Sequence, residues 1–248
     1  MAQKPPASRY RFHEIPYPAL RRDYATQYRI AARLLAEDGR EAQKLFTEMK
    51  TRTTFSTGRF DMGMRYLYVG LSATLGMTTW NMIMGIQNWK HYLLAGLVGP
   101  LGGWALGKRR KLDSHMFRVP MRIGLNLFPG IPNNALHEGI HYIQMRKMLP
   151  TEHIRGGKEG LSTAAETLLA RQRHQPLRIV DYRQGIYGKG FMLGQDAHAL
   201  GQRLGSKDAA WMFLRRIGFG ETEEDAMKVV EETYRAGNRG RKRGKRIR

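Results

Sequence analysis

The chain has 248 residues, enough for one sizeable domain with an appendage or for two small ones, and 42 Lys and Arg against 21 Asp and Glu set its formal charge at +21. It contains no Cys, which excludes disulfides and thiolate metal sites and leaves His and carboxylates to hold any metal. Eight of the cations lie between Arg235 and Arg248 with no acid among them, a composition that predicts a disordered basic tail over 237–248. Such a tail contacts anionic lipid or nucleic acid through counterion release, or stays solvated without a dedicated partner.

In chain order, residues 1–22 read as an extended basic arm, with four prolines by Pro18 and no apolar core of a secretory signal. Residues 23–63 read as a helical juxtamembrane segment. Tyr24, Tyr28, Ala31, Leu34 and Leu35 share one side, Gly39 breaks the pattern, and Leu45, Phe46 and Met49 resume it. No charged residue occurs between Arg65 and Lys90, and 16 uncharged residues follow His91 up to Lys108. The first stretch is long enough to cross a bilayer; the second is short and holds Pro100 and Gly102-Gly103. We read 64–107 as a transmembrane helical hairpin, with a buried hairpin in a soluble protein as the alternative. Arg52, Arg59 and Arg65 before it and Lys108 to Lys111 after it place both flanks, and the domain beyond, on the cytoplasmic side.

Met116 to Gly130 alternates as one or two short strands do, and Pro129-Gly130 and Pro132 close them. A helix capped by Asn133 or Asn134 then carries His137-Glu138-Gly139-Ile140-His141, an HExxH motif. Two His at i and i+4 leave one helix face and can grip one Zn²⁺, while Glu138 lies where it can take a proton from water. Glu138 is the only charged residue between Asn133 and Gln144, as expected for a buried metal helix.

Two imidazoles leave zinc short of protein ligands, and a carboxylate completes the set while keeping a position open. Glu159 and Glu166 lie seven residues apart on one stripe of a helix expected from about Gly160 to Arg173, so either can serve. Tyr187 sits in Gly185-Ile186-Tyr187-Gly188-Lys189-Gly190, read as a flexible turn able to place a phenol over a cleft, or simply to pack it. Asp196 and His198 follow as polar-face residues or further partners of the site, and Thr222 with Asp225 marks the start of a last helix.

The stretches HEGIHYIQ, KEGLSTAAE and YGKGFMLGQDAHALGQRLGSKDAAWMFLRRIGFGETEEDAMKVV together resemble the gluzincin metallopeptidases, the thermolysin-like and aminopeptidase-like superfamily, over about Met116 to Ala236. The resemblance implies Glu159 as third ligand, with Glu166 next in line because Ser162 stands where Ala is commoner and the spacer is short. It also implies an oxyanion-stabilising role for Tyr187. The expected fold is α+β and mostly helical, a minimal zincin-like domain over 112–236 after the membrane hairpin. The expected function is zinc-dependent hydrolysis of a peptide or protein substrate. A membrane-anchored scaffold, or a protein that binds nucleic acid or a ribosomal surface through its tail, is the rival reading.

Overall fold

The computed structural model describes residues 9–56, 60–61, 71, 74–75, 78–79, 82–85, 101, 111–112, 114–117, 121–126, 133–175 and 185–244. They form a mostly helical α+β structure. Seven helices are described: α1 (Pro18–Leu35), α2 (Gly39–Arg52), α3 (Asn134–Lys147), α4 (Gly157–Gln172), α5 (Gly185–Arg203), α6 (Lys207–Gly218) and α7 (Glu223–Gly244). The described strands are β1 (Arg9–Tyr10), β2 (Thr53–Ser56), β3 (Phe60–Asp61), β4 (Lys111–Leu112), β5 (Ser114–Phe117) and β6 (Arg122–Asn126).

Four strands make one sheet in the order β1-β2-β6-β5, and β3 pairs with β4 apart from it. The two central strands run parallel, with Thr53 opposite Ile123 and Ser56 opposite Asn126, and both edge strands run antiparallel to them. Parallel pairing needs a long crossover, and residues 57–121 supply it. The β5–β6 pair lies where alternation predicts strands; β1 and β2 are too short to give a periodic signal.

One core joins the helices to the sheet. Phe55, Ile123 and Leu125 from the sheet lie in the same buried cluster as Tyr28 and Leu35 of α1, Met49 of α2, Ile140 of α3, Leu161 of α4 and Phe213 of α6. The segment expected to stand beside a membrane therefore packs its α1 and α2 against the metal helix. Gly139 is where they meet: a Cβ there would lie 3.1 Å from Met49 Sδ and 3.2 Å from Tyr28 Cδ1. Caps lock these helices. Asp38 accepts the Glu41 N–H at the start of α2, and Arg215 of α6 donates to the last carbonyls of α1, at 3.0 Å to Arg33 and 2.7 Å to Ala36.

Two expectations change. Helix α7 runs on to Gly244, so residues 237–244 continue a helix where composition predicts a disordered tail. Its first turn holds Glu223, Glu224 and Asp225 and its last turns fall in the basic run, the charge order a helix dipole favours. The segment holding Tyr187 is also helical: α5 starts at Gly185, whose φ of 68° makes the turn that the five following residues were expected to share.

The apolar hairpin expected at 64–107 lies mostly outside the described residues. Among those described, no helix is long and apolar enough to cross a membrane. Leu71, Leu75, Met82, Ile83, Met84 and Leu101, which are described, are all exposed.

Candidate metal centre

Two helices build the site. On α3, His137 and His141 project one turn apart toward α4, and Glu138 between them is buried. The α3 N-terminus is held by a side chain from α1, because Gln27 Oε1 accepts the Leu136 N–H at 3.0 Å. Gln27 Nε2 donates to Asp23 at 2.6 Å, and Arg173, just past α4, donates to the other Asp23 oxygen at 2.7 Å. One carboxylate thereby ties α1 to the end of α4 and, through Gln27, to the start of the metal helix. Asn133 is the N-cap residue, as expected, but in left-handed backbone and without a side-chain capping bond. Its amide instead reaches Gln175 and Arg173.

Gly156 and Gly157, with φ of 93° and 61°, turn the chain into α4 so that Glu159 falls in its first turn. Glu159 Oε2 then lies 3.2 Å from His137 Nε2 and 3.0 Å from His141 Nε2, and the two Nε2 atoms are 3.1 Å apart. Ligand atoms on a tetrahedral ion at 2.0–2.1 Å stand roughly 3.3 Å from one another. The three atoms thus already form one face of such a coordination shell, and His137, His141 and Glu159 make a group that can hold a metal ion.

Glu166 meets the opposite side of the ring. Its Oε2 lies 3.2 Å from His137 Nδ1, so an Nδ1–H donated to it leaves the Nε2 lone pair free for a metal. The same stripe of α4 brings Glu159 to the two Nε2 atoms and Glu166 to Nδ1, at the back of the first imidazole. Ser162, fully buried, sits between them with its Oγ 3.3 Å from His141 Nε2 and donating to the Glu159 carbonyl at 3.0 Å. Sequence reasoning registers Ser162 only as a departure from Ala; its place one turn beyond Glu159 is the signal that it faces the site.

Charge fits a cation here. Glu138, Glu159 and Glu166 put three carboxylates around two imidazoles in a largely buried space. Burial pulls the His137 pKa down, but hydrogen bonds to Glu159 and Glu166 and the nearby Glu138 charge outweigh it and raise it to about 10. For Glu159, burial works toward a higher pKa, and the two histidines override it and hold the carboxyl well below its usual range. The cluster attracts positive charge, whether proton or metal.

The remaining candidates are not members of the His137, His141 and Glu159 group. Tyr187 is in the first turn of α5 and partly exposed, and α5 begins against α4, where the Ile186 carbonyl would be 2.6 Å from a Cβ at Gly156. Asp196 binds Arg155 at 2.9 Å, and Arg155 also grips Glu223, so that acid ties α5 to α7 and does not join the histidines. Burial and the charges of Arg171 and His174 hold the His198 pKa down, among cations and apart from the carboxylate cluster. Comparison of the chain with family models, with curated proteins and with solved structures finds no match in any of the three.

Proposed function

We propose that the chain is a metal-dependent peptidase, with zinc as its metal. The observation that carries this reading is the convergence of His137 Nε2, His141 Nε2 and Glu159 Oε2 within 3.2 Å of one another beside the buried carboxylate of Glu138. The donor set of two imidazoles and one carboxylate suits Zn²⁺ and leaves a position for water or substrate. Bound there, the ion supplies Lewis acidity, lowering the pKa of water to about 7 and polarising a carbonyl.

The residues do the rest. Glu138 accepts the proton of the attacking water and passes it to the leaving amine. Glu166 holds His137 in the tautomer that presents Nε2, and Ser162 limits how the His141 ring and the Glu159 main chain move. Tyr187 is assigned to the oxyanion, to which its phenol donates when the substrate is in place.

The test is metal analysis with peptide hydrolysis on purified chain. Wild type is expected to carry about one zinc and to cleave peptides; Glu138→Gln is expected to keep the metal and lose about 10²–10⁴ in rate. A Glu138→Gln chain that cleaves at the original rate overturns the assignment.

Membrane association is part of the proposal. Leu71, Leu75, Met82, Ile83 and Met84 are all exposed, apolar side chains that a bilayer would cover. Both cationic flanks belong on the cytoplasmic side. Flotation with liposomes by the full chain, and its loss when 64–107 is replaced by a polar linker, tests this.

A further inference from the structure

A cleft of about 670 Å³ is lined by Arg11, His13, Lys50, Arg52 and Arg122 together with Phe12 and three threonines. The cations come from three distant segments. The arm supplies Arg11 and His13, the end of α2 supplies Lys50 and Arg52, and the first residue of β6 supplies Arg122; parallel pairing of Thr53 with Ile123 brings the last two segments side by side. Among the described residues, no Asp or Glu lines the cleft. Glu14, beside His13, accepts the Arg11 N–H at 2.6 Å and stands 3.7 Å from the His13 ring. Lys50 lies over the rings of Phe12 and Phe46. Among the described residues, Arg11, Lys50, Arg52 and Arg122 form no ion pair.

Four permanent positive charges around one concavity, three of them on exposed side chains, raise the local concentration of anions. The C-terminus of α2 contributes only about half a negative charge, too little to account for them. We propose that this cleft binds a small anion carrying two or more phosphoryl groups. Three of the four cations are arginines, whose planar forks match phosphate oxygens two at a time. The volume is that of a small-molecule site and not of a groove for a nucleic-acid helix. Arg52 and Arg122 precede the paired Thr53 and Ile123 and so stand as neighbours, while Arg11 comes from the arm, and a ligand with several phosphoryl oxygens meets cations of all three elements. The site does not depend on the metal centre.

Isothermal titration of the full chain with tripolyphosphate, pyrophosphate, orthophosphate and an acidic peptide, at 0.15 M salt, tests the proposal. Tripolyphosphate and pyrophosphate are expected to bind at least about tenfold more tightly than orthophosphate or the peptide, and Arg52→Ala and Arg122→Ala each to weaken them about tenfold. Lys228→Ala, at an exposed cation of α7, and His137→Ala, which removes chelation by a bound metal, are expected to leave affinity unchanged. Thermal melts identify any variant that fails to fold, and Arg11→Gln on the arm then replaces it. Absence of polyphosphate binding, equal binding by wild type and the Arg52→Ala/Arg122→Ala double variant, tighter binding of the peptide, or loss of binding in His137→Ala overturns the proposal.

Discussion

Helix α4 has two working faces that obey different rules. Toward α3 it presents Glu159, Ser162 and Glu166, polar groups brought within 3.0–3.3 Å of two imidazoles. Toward α5 it presents main chain and the Cβ atoms of two threonines: a Cβ on Gly190 would lie 2.8 Å from the Gly160 carbonyl and from Thr163 Cβ, and one on Gly194 would lie 2.6 Å from the Ala164 carbonyl and 2.7 Å from Thr167 Cβ. A backbone pressed against a backbone has nowhere to move, so the α5 face sets where α4 lies and the α3 face uses that position. The placement of Glu159 and Glu166 depends on glycines that never touch the two histidines.

The sharpest way to break this division is Gly194→Ala. Helix propensity favours Ala by about 1 kcal/mol, yet the added carbon meets main chain, and we expect a net loss of about 2–3 kcal/mol in denaturant unfolding with weaker metal binding as α4 shifts. A stability equal to wild type would show that the seam yields. On the other face, Glu166→Gln is expected to preserve the fold and to lower metal affinity about 10–100-fold, measured by competition with a chelator. Complete loss of metal there, with Glu159→Gln retaining it, would exchange the roles of the two acids.

The chelator-stripped chain gives a graded version of the same test. The His137 pKa, raised to about 10 by its carboxylates against an ordinary 6.5, contributes stability that is fully present below pH 6.5 and lost as pH rises through about 10. Unfolding measured across that window is expected to show falling stability in wild type and a shallower fall in Glu166→Gln, while metal binding strengthens as the proton leaves. Arg215→Ala, which uncaps α1 far from both faces of α4, is expected to cost about 1 kcal/mol without changing metal affinity. Smallest is Gly139→Ala. There the new methyl meets Met49 Sδ at 3.1 Å, Tyr28 Cδ1 at 3.2 Å and Ala31 Cβ at 3.3 Å, a crowding that the gain of about 1 kcal/mol in helix propensity offsets, and we expect a net change within about 0.5 kcal/mol.

Much of the site was legible because it is local. The i, i+4 histidines, the buried character of their helix and the two acids on one later stripe follow from helical periodicity. The choice between those acids was not legible: both point the same way along α4, and only the crossing of α3 decides that one meets Nε2 and the other Nδ1. The same limit hid the Asp23, Gln27 and Arg173 relay and the cationic cleft, whose members are separated by up to 150 residues in the relay and by a whole crossover in the cleft. The glycines from Gly185 to Gly190 predicted a turn, since propensity disfavours them in a helix; Gly185 does make the turn into α5, and close packing on α4 makes Gly190 necessary.

By itself, then, the order of residues determined which side chains hold metal-binding chemistry and that they lie on helices, because one turn of helix is a short-range property. The tertiary structure decided which carboxylate lies at the two Nε2 atoms, which lies behind a ring, and where the cations of the cleft gather. Those outcomes depend on how helices and strands from distant parts of the chain pack, and no local periodicity encodes the distance between them.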